Sequence, residues 1–175
     1  MSNPPIGLTA LGERLRHDLE ILQYPPSEWV IPHLNGNGNG DRVTDVVVIG
    51  AGMCGLAAGF ALYRAGISNI RILDASEAGR EGPWVTYARM ETLRSPKHLA
   101  GPAMGVASLS FRAWYEARWG VDAWEDLGKI PTAMWMGYLI WYREVLGLPV
   151  ENDRQVVAID PAEHGFDLRV SGASG

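Results

Sequence analysis

Cysteine is almost missing from this 175-residue chain: Cys54 stands alone. An internal disulfide and a Cys-based zinc cluster are thereby excluded, and such sparing use fits a reducing cytoplasm. Charge is scarce as well. Only 20% of residues carry it, and 15 Lys plus Arg stand against 20 Asp plus Glu for a formal net charge of −5. No basic run is present, which argues against nucleic acid as a partner. His17, His33, His98 and His164 are scattered without ligand spacing, so no metal site is expected. No Ser-His-Asp arrangement can be inferred from these positions, and no catalytic residue is assigned. The start, Met1-Ser2-Asn3-Pro4-Pro5, lacks the charged end and apolar stretch of a signal peptide. Nor is there a long unbroken apolar run. The most apolar stretch, residues 46–62, opens with four β-branched residues and carries glycine at 50, 52, 55 and 59. That pattern suits a strand running into a glycine-rich helix better than a bilayer span. The expectation is a cytoplasmic protein with no membrane partner.

Apolar and aromatic residues are plentiful. Hydrophobic residues make up 47% of the chain, with 7 Trp, 6 Tyr and 3 Phe, enough for the core of one ordinary domain. Leu8, Leu11, Leu15, Leu19 and Leu22 recur at spacings of three and four, with Glu13, Arg14, Arg16, Asp18 and Glu20 between them. This is one apolar stripe on a helix that would be marginal alone, so it packs on its own body or builds a homo-oligomer with a second copy. Tyr24-Pro25-Pro26 stops it. Asn35-Gly36-Asn37-Gly38-Asn39-Gly40 offers nothing to bury and reads as a linker. The expected division is an N-terminal helix and arm over residues 1–34, a linker over 35–42 and a globular α/β body over 43–175.

The body opens on a nucleotide-binding pattern. Val46-Val47-Val48-Ile49 is a continuous β-branched run, as in a central parallel strand covered on both faces. Gly50-Ala51-Gly52-Met53-Cys54-Gly55 follows, then a helix to Ala65 with Leu56, Gly59, Phe60 and Tyr63 on one face and Gly66 as its stop. Ile70-Arg71-Ile72-Leu73 is a second strand, with Asp74 at its tip. Gly50 permits the tight turn, Gly52 lets the backbone approach a pyrophosphate, and Gly55 lets helix and strand pack closely. The helix N-terminus offers amides and a positive dipole to phosphate, and Asp74 can accept from a ribose hydroxyl. An acid there favours FAD or NAD over NADP.

After Asp74 the regular alternation of a nicotinamide domain gives way to the loop Ala75–Trp84 and an irregular stretch around Arg94-Ser95-Pro96-Lys97-His98. Here the chain resembles the FAD-binding part of flavin-containing monooxygenases and related FAD/NAD(P)-dependent oxidoreductases. Gly50-x-Gly52-x-x-Gly55-x-x-x-Gly59 matches that family's first FAD motif. Asp74 falls where the family carries an acid for the adenosine ribose, and Gly82-Pro83-Trp84 is similar to its Gly-Gly-x-Trp loop on the flavin side, with Pro83 a departure. The resemblance implies a Rossmann-like FAD-binding domain with a parallel sheet and the start of a β-meander. It implies FAD as cofactor and NAD(P)H as co-substrate. FAD contacts would come from Gly50, Ala51, Gly52, Met53, Cys54, Gly55, Asp74, Ala75, Gly82 and Trp84. A strand at Val156 would pass the adenine. The implied reaction is oxygen insertion into a small-molecule substrate. The alternatives are a flavin dehydrogenase or oxidase, and a non-catalytic nucleotide-binding subunit of a larger assembly.

Downstream, Ser110 is placed to cap a helix over 111–119 and Thr132 one over 133–146, closed by Gly120 and Gly147. Phe111, Trp114, Tyr115, Met134, Trp135, Tyr138, Trp141 and Tyr142 read first as core. Residues 155–159 and the alternating 165–170 read as two strands. The family's later segments, including its NADPH motif, are not in the chain. A complementary chain carrying the rest of the flavoprotein fold is therefore expected. Cys54, at a helix N-terminus but without a partner thiol, reads as a small packing residue near the cofactor. Arg94 and Lys97 are candidates for phosphate or NADPH contact, with solvated surface as the alternative.

Overall fold

The computed structural model describes residues 6–34 and 42–172; apart from Arg42, the Asn/Gly linker lies outside the described residues. Strand β1 (Val46–Ile49), helix α2 (Met53–Arg64) and strand β2 (Ile70–Leu73) form a parallel βαβ unit, in register from Val46 opposite Ile70 to Ile49 opposite Leu73. Helix α1 (Gly7–Ile21) precedes them. A third strand, β3 (Val150–Glu151), adds to β2 in parallel and gives the order β1-β2-β3. Two residues of strand carry too little pattern to be read from sequence. Backbone N–H groups of Ile72 and Asp74 donate to the Pro149 and Glu151 carbonyls, and across this pairing the Arg71 guanidinium on β2 binds both oxygens of Glu151, at 2.6 and 2.7 Å. The hydrogen bonds from Arg71 hold the Glu151 carboxyl below its ordinary pKa.

The connection from β2 to β3 carries helices α3 (Phe111–Trp119), α4 (Val121–Asp126) and α5 (Thr132–Val145). Ser110 caps α3 as expected, its Oγ accepting from the Ala113 N–H at 3.1 Å. Thr132 does not cap α5. Pro131 takes that position because its fixed backbone is already extended there, and Thr132 becomes the first helical residue with its N–H donated to the Glu91 carbonyl. Strands β4 (Arg154–Ala162) and β5 (Gly165–Gly172) form an antiparallel hairpin with a register shift between Val156 and Ala158. Its β-branched and aromatic residues Val157, Ile159 and Phe166 remain exposed.

The aromatic excess is a core. Phe111 lies within 5.5 to 6.2 Å, centroid to centroid, of Trp114, Tyr115, Trp124, Trp135 and Tyr138. Burying rings this large supplies much of the apolar area a domain of this size requires. The Tyr138 hydroxyl donates to the Leu109 carbonyl at 2.8 Å and that of Tyr142 to the Pro102 carbonyl at 2.9 Å. Burial pushes both phenols well above the usual tyrosine range. Helix α1 spends its leucine stripe on this body, with Leu11 and Leu15 inside the same cluster. The arm that follows crosses the end of α2, where the Trp29 indole N–H donates to the Ala65 carbonyl at 2.6 Å.

Strand β1 departs from its reading as a strand covered on both faces. Among the described residues it has one neighbour, β2, and Ile49 is 53% exposed.

Two outcomes test this packing. Leu15→Ala should cost about 2–5 kcal/mol, the cost of truncating a buried leucine, in urea unfolding followed by tryptophan fluorescence. A change below 0.5 kcal/mol, as on a solvated surface, would show that α1 is not part of the core. The raised phenol pKa values predict alkaline sensitivity. Their stabilisation is complete below the unfolded-state value of 10.0 and is lost as pH climbs above it toward the folded values. Stability measured from pH 9 to 12 should fall above pH 10 by up to about 1.4 kcal/mol per unit per tyrosine. Tyr138→Phe should flatten that slope.

Candidate functional site

The turn from β1 into α2 is set by close backbone approach. Gly50 sits at φ +97°, a conformation that side-chain-bearing residues rarely adopt, and donates its N–H to the Leu73 carbonyl at 2.7 Å. A Cβ on Gly55 would lie 1.7 Å from the Gly50 oxygen, so no side chain fits there. Gly52 differs. A Cβ built on it meets nothing nearer than the Gly82 Cα at 3.7 Å, an ordinary contact. The protein's own packing thus leaves room for a methyl group at Gly52, at the N-terminus of α2, where the first helical amides lack intrahelical acceptors. Free donors and a positive dipole end together suit a phosphate group.

Asp74 closes this corner from β2. It is 7% exposed, and its Oδ2 accepts from the Ala51 N–H at 2.6 Å while Oδ1 accepts from the Ser76 N–H at 2.8 Å. Besides the ribose role read from sequence, its carboxylate therefore ties the glycine turn to the tip of β2. A carboxylate offers about four lone-pair sites, so two stay open for ribose hydroxyls.

The loop after β2 returns to the same corner. Gly82, at φ +73°, brings its backbone against Gly52. Trp84 then packs edge-on to Trp135 of α5, with ring centroids 6.1 Å apart. Both rings line a largely apolar cavity of about 320 Å³, together with Met53, Met90, Leu93 and Arg94. That volume is in the range of small-molecule sites. Arg94 is exposed at this cavity and has no hydrogen-bond or ion-pair partner among the described residues.

Ala75 lies apart from that cavity. It borders a shallow depression of about 350 Å³ at the tip of β2, shared with Asp153, Gln155, Ser171 and Gly172. Val156 is half-buried on β4, beside Gln155 but not in the depression's wall. Cys54 is exposed on the first turn of α2. Lys97 is engaged within the protein. Its Nζ donates to the carbonyls of Trp124 and Leu127, both at 2.6 Å, because the end of α4 leaves carbonyls in need of donors.

Sequence reasoning missed Glu81, Arg143 and Asn152. Glu81 is 2% exposed, pairs with Arg143 at 2.6 Å and accepts from the Asn152 amide at 2.6 Å. The signal available was one acid inside a glycine-rich loop. Its partners lie 62 and 71 residues away, beyond any local pattern.

The profile of a family described as FAD dependent oxidoreductase matches residues 45–173. Over 156 residues the chain is 47% identical to an FAD-dependent urate hydroxylase from Xanthomonas campestris pv. campestris, covering 89% of this chain. The chain spans about a third (32%) of that relative's length. The β1-turn-α2 unit with its first helical amides, and the acid at the tip of β2, fit FAD's pyrophosphate and ribose. Among the described residues no helix is long and apolar enough to cross a membrane. On the match across most of its length, the chain belongs to the FAD-dependent oxidoreductase family.

Proposed function

We propose that this chain is the FAD-binding portion of a monooxygenase-like oxidoreductase that uses NAD(P)H and inserts oxygen into a small planar substrate. The observation that carries the reading is the corner where Gly52, Gly82 and Asp74 meet beside the tryptophan-lined cavity. In this reading Gly50, Ala51, Gly52, Met53, Cys54 and Gly55 hold the pyrophosphate along the N-terminus of α2. Asp74 and Ala75 receive the adenosine ribose, and Val156 passes the adenine. Gly82 and Trp84 lie along the ring end. When bound, FAD supplies two-electron redox chemistry and, once reduced, reactivity toward oxygen. The chain's own residues bind it, orient it and keep water from its ring with Met53, Trp84, Leu93 and Trp135.

The substrate class follows from the cavity and from the relative. The cavity is largely apolar, its one charged lining residue among the described residues is Arg94, and the relative's name is that of a urate hydroxylase. Urate is a planar anion at neutral pH, a match in shape and charge. In this reading the NAD(P)H site lies on a complementary segment or chain, and the flank of β1 without a neighbour among the described residues is where its sheet would continue.

FAD titration followed by flavin fluorescence tests the cofactor site. Gly52→Ala should fold normally, since its Cβ has room, yet lose FAD binding through collision with the pyrophosphate. Full FAD affinity in this variant would sink the assignment. Asp74→Asn should weaken binding by about 1–3 kcal/mol, the scale of a hydrogen bond to a charged group. For the reaction, urate-dependent NAD(P)H oxidation with oxygen consumed into product is expected from the complete protein. NAD(P)H oxidation without an oxygenated product would favour a dehydrogenase or oxidase instead.

A further inference from the structure

The Glu81 carboxylate collects donors from three parts of the fold. Its Oε1 accepts from Arg143 Nη1 on α5 and from Asn152 Nδ2 in the β3–β4 turn, both at 2.6 Å. Its Oε2 accepts from the Gly79 N–H at 3.0 Å within its own loop. The two partners are themselves joined, since Arg143 Nη1 donates to Asn152 Oδ1 at 3.0 Å. Asn152 Nδ2 also donates to the Ser76 carbonyl at 3.0 Å, on the loop that leaves Asp74. Among the described residues every hydrogen-bond partner of Glu81 is a donor, so only an acceptor-only side chain satisfies the set. Glutamine cannot, because its amide NH₂ would oppose one donor in one orientation and two in the other. The charge is also matched, with Arg143 as counter-ion to a carboxylate that solvent barely reaches.

The residue after this anchor is Gly82, whose backbone rests on Gly52, and Trp84 follows at the cavity. Arg143 therefore holds Gly82 and Trp84 in place through one carboxylate. We propose that Glu81 is a positioning residue for FAD: it holds the Gly79–Trp84 loop at the height where Gly82 and Trp84 receive the flavin half of the cofactor. Asn152 extends the strut to the Ser76 loop beside the ribose acid. The inference rests on FAD lying across the Gly52–Gly82 corner.

The test compares FAD with ADP, which lacks the flavin half. Glu81→Gln should raise the FAD dissociation constant by about tenfold or more, on the scale of a lost charge-assisted hydrogen bond. ADP affinity should change by less than about twofold, a difference too small to reflect a lost contact. Arg143→Met should behave like Glu81→Gln, and Arg143→Lys should restore part of the FAD affinity. A parallel fall in FAD affinity, ADP affinity and melting temperature would overturn the proposal and reduce Glu81 to a general fold support. Unchanged FAD affinity would overturn it as well. If Glu81→Gln does not fold, Arg143→Lys, which keeps the counter-charge and leaves the Asn152–Ser76 bond in place, should show the same selective loss for FAD in smaller degree. Gly52→Ala serves as the control. Its failure to lose either ligand would discredit the cofactor site itself, separately from the role of Glu81.

Discussion

The contact between Gly55 and the Gly50 carbonyl is the constraint on which the rest of the site depends. With no Cβ at position 55, the first turn of α2 settles onto the end of β1. That approach leaves the helix's first amides open beside Gly52 and directs its axis dipole toward the same point. Asp74 then closes the turn from the neighbouring strand through the Ala51 N–H. A carboxylate at the tip of β2 thus acts on the protein before it acts on any ligand. It fixes the loop whose shape a pyrophosphate would need, and preorganisation of this kind lowers the cost of binding.

Helix α5 joins the core to the site. Tyr138 and Tyr142 face inward and anchor it to the carbonyls of Leu109 and Pro102. Trp135, near its start, contacts Phe111 of the core on one side and helps line the cavity on the other. Arg143, near its end, reaches Glu81. The aromatic packing that stabilises the domain therefore also holds the cavity wall. A core substitution that shifts α5 will be felt at the Gly82 loop without touching it.

Much of this was legible in the sequence where the pattern is local. The β-branched run, the glycine spacing and the acid after Ile70–Leu73 specify a βαβ unit because each depends on neighbours within about thirty residues. Ser110 was readable as a cap for the same reason. The misses are non-local or shorter than a pattern. Strand β3 has two residues and owes its place to backbone hydrogen bonds with β2, joined by the Arg71–Glu151 pair, some eighty residues apart in sequence. Thr132 has the right side chain for a cap, but Pro131 preset the backbone one residue earlier. Lys97 stayed open between a phosphate contact and solvated surface because a lysine's target depends on tertiary neighbours, here the carbonyls ending α4. The reading of β1 as an interior strand depends on a second neighbour that the described residues do not include.

Trp135 and Arg143 stand eight positions apart on α5, and the helical rise makes that about 12 Å along the axis. The helix is thus a ruler between the cavity wall and the anchor of the Gly79–Trp84 loop. A ruler of this kind tolerates changes of residue type far better than changes of length. One inserted residue between positions 135 and 143 would swing Arg143 through about 100° and carry it off Glu81, even with every original side chain retained. The segment between those two residues is thereby constrained in its count more tightly than in its composition.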